Sequence, residues 1–222
     1  MSAPRRRSWT RSGGSPTPTV PSLSARIERL FASAQQDLRA GQPERAAKAL
    51  LKVAALPGIE HDEPLALESA HAGLADIYLK LRRIELAEYH LGRALAVSPQ
   101  EADLHHRLGE LRSYKGEFAG AAAAFLRASE LEPSHPGHLH RLGWATFMAG
   151  EQQQGRQIMV EALTLDEANT ALLGDLAVAC SELGDHRAAL KYLDQAIVLD
   201  PHNELLVSQR ERLREKAARR KK

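Results

Sequence analysis

At 222 residues the chain is long enough for one sizeable domain or a short solenoid. Hydrophobic residues make up 43% and aromatics only 5%, with alanine and leucine ahead of valine and isoleucine, which favours helices packed through small residues over sheet. A lone cysteine, Cys180, excludes an intrachain disulfide and a cysteine metal cluster, and no stretch approaches the ~18 apolar residues of a membrane helix. The net charge of +2 hides an asymmetry: residues 1–24 carry +4, residues 204–222 carry +5, and the body between them therefore carries −7.

In chain order, residues 1–23 read as a disordered basic tail. Arg5, Arg6, Arg7 and Arg11 precede a stretch in which Pro16, Pro18 and Pro21 sit among Ser, Thr and Gly. No apolar core follows the arginines, so a secretory signal is not expected, and Pro and Gly would break the helix of a transit peptide. Ser22 or Ser24 suits a helix cap, with a helix over Arg26–Ala40 behind it.

From there the chain repeats. The turn that closes each unit stands as AVSPQ at Pro99, ELEPS at Pro133, TLDEA at Glu167 and VLDPH at Pro201, each 34 residues after the last. Leu74, Leu108, Leu142 and Leu176 keep that period, each followed by a small residue, Ala75, Gly109, Gly143 and Ala177. Two further small columns run Ala87, Ala121, Gly155, Ala189 and Ala94, Ala128, Ala162, Ala196. A large apolar column runs Leu91, Phe125, Met159, Leu193, and Gly116, Gly150 and Gly184 mark the mid-unit turn, where the earlier copy has Arg82. Apolar spacing of three and four, as in Leu190, Leu193 and Ile197, makes each half a helix of roughly 12–14 residues. Small residues let the two helices of a unit approach, and since one hairpin cannot bury its own apolar face, the units must stack. Residues 204–222 form a last basic helix with an apolar side of Leu205, Leu206 and Leu213, suited to cover the end of the stack.

The period of 34 and these columns resemble the tetratricopeptide repeat. The resemblance covers 68–101, 102–135, 136–169 and 170–203 well and a weaker copy at 27–60, followed by an insertion at 61–67 that is expected to form a longer loop or to extend its neighbouring helices. It implies an all-α fold: a right-handed α-solenoid of antiparallel helix pairs over 24–203, about five units, with a C-terminal capping helix. It also implies a non-catalytic scaffold or assembly adaptor that holds another protein or peptide in the concave groove lined by the first helix of each unit. A cytoplasmic location and a capacity for self-association are further expectations.

Nothing in the sequence supplies a chemical site: there is no phosphate-binding loop, nucleophile elbow or CxxC, and no cofactor is expected. His61, Asp62 and Glu63 form a triplet in the insertion, where such residues face solvent. His105 and His106, with His135, His138 and His140 a unit later, invite a zinc reading. Three or four ligands must converge, however, and these residues are expected to face different ways on their helices, so no metal site is expected. Cys180 is expected to be buried and inert.

The groove residues follow from the resemblance. HRLG occurs at His106–Gly109 and again at His140–Gly143, so His106 and His140 are equivalent, as are Arg107 and Arg141, roughly 10 Å apart on adjacent helices. A turn further on come Asp76, Glu110 and Trp144, then Lys80, Tyr114 and Met148. Arginine takes a carboxylate bidentately and the aromatic rings supply anchor area, so His106, Arg107, Glu110, Tyr114, His140, Arg141, Trp144 and Met148 form the candidate peptide site. The alternatives are that Trp144 packs against a neighbouring helix and that the arginine pair only balances acidic neighbours such as Glu110. Relatives that clamp chaperone C-termini use first-helix asparagines where this chain has Asp76 and Glu110, so that subtype is not implied. The alternative function is contact with nucleic acid or an anionic surface through the basic ends, chiefly Arg212, Arg214, Arg219, Arg220, Lys221 and Lys222. The acidic body and the scarcity of aromatics in both tails, Trp9 apart, count against it.

Overall fold

The structure, a computed structural model, describes residues 21–219, with side chains to residue 216. The groups expected to act from the far ends, Arg5–Arg7, Arg11, Trp9, the Arg219 side chain and Arg220–Lys222, lie outside the described residues.

Among the described residues the regular structure is helical throughout. Successive antiparallel pairs are α1 (Leu23–Arg39) with α2 (Pro43–Ala54), α4 (Pro64–Lys80) with α5 (Ile84–Val97), and α6 (Ala102–Tyr114) with α7 (Phe118–Leu131). They continue as α8 (Pro136–Met148) with α9 (Gln152–Leu165) and α10 (Thr170–Glu182) with α11 (His186–Leu199), before a single α12 (Glu204–Arg219). The short α3 (Ile59–Asp62) lies between the first two pairs.

Local chemistry sets the starts. Ser22, not Ser24, caps α1, its side chain accepting from the Ala25 N–H, so the helix opens three residues ahead of the expected Arg26. Ser24 instead donates to Glu63 Oε1 at 2.7 Å. Asn169 and Asp185 cap α10 and α11 through their side chains, while Pro43, Pro64 and Pro136 open α2, α4 and α8, where a missing N–H costs nothing. The insertion takes the second expected form, with α4 reaching back to Pro64 and running 17 residues, while the short helix α3, held by buried Ile59, stands where the longer loop was the alternative.

Each mid-unit turn needs a left-handed residue. Gly41, Gly116, Gly150 and Gly184 supply it at φ of 69°, 78°, 106° and 82°, and Arg82 does so at 57°, where a side chain costs about 1–2 kcal/mol. Leu91, Phe125, Met159 and Leu193 are at most 2% exposed between the helices of their pairs. The closest approach is between α8 and α9: a Cβ on Gly155 would lie 2.4 Å from the Phe147 N and 2.6 Å from the Gly143 O. At the far end, Leu206 and Leu213 of α12 are buried with Leu173, Ala177, Cys180 and Leu193 of the last pair.

Candidate functional site

The first helices α4, α6, α8 and α10 are joined side chain to side chain. Arg107 of α6 forms an ion pair with Asp76 of α4 and, at 2.6 Å, with Asp103 of its own helix. His106 of α6 meets His138 of α8, Nδ1 to Nδ1, at 2.9 Å. His140 of α8 places Nε2 2.8 Å from Asp175 Oδ2 of α10. These contacts tie each first helix to the next.

The expected groove residues therefore divide. Burial alone would lower the Arg107 pKa, but its hydrogen bonds to Asp76 and Asp103 outweigh burial and raise it. Its charge is thus already spoken for by two carboxylates. His140 is buried and bonded to Asp175, so it holds the stack together and offers nothing to a groove. His106 is half-buried, edge-on to Phe125 with ring centroids 5.1 Å apart. Tyr114, at the end of α6, takes a hydrogen bond from Arg82 and lies under that guanidinium at 5.7 Å, which ties it to the preceding turn. Trp144 is half-buried, stacked on Phe147 at 5.9 Å and resting on the core between α8 and α10. Arg141, Trp144 and Met148, at spacings of three and four on α8, share one face with Arg141 and Met148 exposed, and Glu110 is exposed on α6.

One part of the histidine expectation is corrected. Of the five histidines expected to face different ways, His135 and His138 come together at the α7–α8 junction, where with Glu132 they offer ligand atoms within 4.8 Å of one another, while His105 and His140 bond elsewhere. The loop reverses direction between residue 132 and residue 138, and a helical-wheel argument cannot see that. Extending the turn read at ELEPS as far as Pro136 would have set His135 before the next helix and His138 inside it, not on opposite sides of one continuous helix. His61 and Asp62 are exposed on α3. Cys180 is fully buried, and burial pushes its thiol pKa up, which suppresses the reactive thiolate.

A second surface escaped the sequence altogether. An open cleft of about 970 Å³ lies between the second helices α9 and α11, with Val160, Leu163, Leu190 and Val198 along it and Val198 78% exposed. The exposed Arg214 of α12 lies 3.7 Å from Asp194 on its rim. No helix among the described residues is long and apolar enough to cross a membrane.

The family profile of the tetratricopeptide repeat matches residues 171–203, which is the α10–α11 pair. No curated protein matches the chain significantly in sequence. Several solved structures share the fold. MamA 41-end from Desulfovibrio magneticus RS-1 is 16% identical at a TM-score of 0.71, over 82% of this chain and 99% of that one. YrrB, described as a TPR protein with an unusual peptide-binding site, is 18% identical at 0.67, over 86% and 98%. A tetratricopeptide repeat protein from Parabacteroides merdae is 15% identical at 0.74, over 85% and 72%. The last helix pair thus matches the tetratricopeptide repeat in sequence, and the described residues share the fold of solved tetratricopeptide repeat proteins.

Proposed function

We propose that this protein is a non-catalytic scaffold that holds a peptide segment of another protein on the first-helix face, centred on α8. Repeats of this family are in general protein-interaction scaffolds, and YrrB, of the same fold, is described as having a peptide-binding site. The observation that carries the reading is the α8 face of Arg141, Trp144 and Met148. It sets an exposed cation beside an indole and a flexible thioether, while the neighbouring Arg107 and His140 are consumed by Asp76, Asp103 and Asp175. Such a face takes a segment that brings a carboxylate to the guanidinium and a bulky apolar side chain to the ring.

The test is selection of a displayed peptide library on the protein, with recovered peptides measured against R141E and W144A. Acidic-apolar peptides that lose about tenfold or more in affinity on R141E support the reading. Peptides bound equally by wild type and both variants overturn it and move recognition to the α9–α11 cleft or to Arg212 and Arg214. R107E is the poorer probe, because it leaves Asp76 and Asp103 facing a new carboxylate and weakens the stack itself.

A further inference from the structure

The loop that joins α7 to α8 connects the unit 102–135 to the unit 136–169 and carries three groups with metal-ligand chemistry. Glu132 closes α7, His135 precedes α8 as its cap residue, and His138 lies in the first turn of α8. His138 Nε2 is 3.3 Å from Glu132 Oε2. That is long for a hydrogen bond to a carboxylate, where about 2.7–2.9 Å is usual. It matches the edge of a tetrahedron whose ligands stand about 2.0–2.1 Å from a central zinc ion, about 3.3 Å. The exposed His135 ring folds back over Gly137, where an added Cβ would meet its Cε1 at 2.9 Å and its Nδ1 at 3.2 Å. It stacks on the His138 ring with centroids 4.2 Å apart. The three ligand atoms already lie within 4.8 Å of one another, and rotation of the His135 side chain closes the third edge.

The other side of His138 is organised as a metal-bound imidazole requires. Its Nδ1 faces His106 Nδ1 at 2.9 Å, and His106 Nε2 faces Glu110 Oε1 at 3.8 Å. With Nε2 of His138 given to an ion, its proton resides on Nδ1 and is donated to His106, whose own proton on Nε2 then points at Glu110. A ligating histidine that passes its second N–H to a neighbouring acceptor is the usual outer support of a metal site.

We propose that Glu132, His135 and His138 bind a divalent transition-metal ion of the zinc type, with water completing the coordination, and that the ion fastens one repeat unit to the next. Two imidazoles and one carboxylate suit zinc, cobalt or nickel rather than calcium or magnesium, which call for oxygen ligands. The positive end of α8 opposes a cation, and the Glu132 carboxylate offsets it. The three ligands do not include Arg141, Trp144 or Met148, so either assignment can fail without the other.

The experiment titrates untagged, chelator-treated protein with cobalt(II), followed by its visible absorption, and with zinc by calorimetry. One saturable equivalent is expected. Both H135A and E132Q change exposed side chains, so their folds should match wild type by circular dichroism, and each should weaken binding about tenfold or more. H106N should weaken it by roughly tenfold through the outer contact. H61A, on α3, should leave it unchanged. No saturable binding by wild type, or binding retained in H135A and E132Q, overturns the assignment.

Discussion

Two histidine pairs with nearly the same contact sit in opposite settings. His71 of α4 and His90 of α5 meet Nδ1 to Nδ1 at 3.0 Å inside one helix pair, and His106 and His138 meet at 2.9 Å between two units. The first pair is 6% and 5% exposed, with His90 also stacked on Tyr78 at 5.5 Å. The charged neighbour that acts on both of its rings is the Arg93 guanidinium, which disfavours a further cation. The second pair has a carboxylate at each end, Glu110 beside His106 and Glu132 beside His138. An imidazole pair sealed within a unit serves packing and one hydrogen bond. The same pair at a junction, open to carboxylates, gains a proton route and ligand chemistry.

Acidification should show the largest effect, with one ring of each setting contributing to it. Burial, and then the partner histidine, lower both His71 and His106 from 6.5 to about 4. Above pH 6.5 both the folded and the unfolded chain keep these rings neutral, so stability there is independent of them. Between 6.5 and 4 the unfolded chain binds the protons first, so stability falls with pH, by up to about 3 kcal/mol for one such shift. Urea unfolding at a series of pH values checks this, and the double variant H71L/H90L should flatten much of the slope. A wild-type midpoint that stays level from pH 7 to pH 4.5 would contradict the sealed setting of the first pair.

Single truncations come next. H71A removes a buried ring and leaves the His90 Nδ1 without its partner, and should cost about 3 kcal/mol in urea unfolding. H106A, at a half-exposed site, should cost about 1 kcal/mol. Equal losses would mean that the junction pair is as deeply structural as the sealed one. The smallest effect is expected from E132Q in metal-free protein, about 0.5 kcal/mol or less, because the residue is exposed and its bond to His138 is long. A larger loss would make Glu132 a structural acceptor instead of a ligand held in reserve.

Much of the architecture could be read from the residues. The 34-residue spacing from Pro99 to Pro201 and the small and large apolar columns anticipate the helix pairs, and Leu91, Phe125, Met159 and Leu193 do occupy the space between them. Even Arg82 adopts the left-handed turn that its glycine counterparts predict. The site was less legible. Periodicity makes His106 and His140 equivalent, yet one faces another histidine and the other a carboxylate. The next unit decides: 32 residues on from His106 stands His138, whereas the same step from His140 reaches Leu172, and Asp175 is met instead.

Sequence alone thus determined which residues form helices, where the chain turns and which faces are apolar, because those follow from local backbone preference and a repeated spacing. Tertiary structure alone decided that Arg107 is neutralised while Arg141 stays exposed, and that Glu132, His135 and His138 meet at the α7–α8 junction, backed by His106. Those outcomes depend on which polar side chains meet across a unit boundary once each repeat has been stacked on the next, and no single repeat encodes its neighbour's side chains.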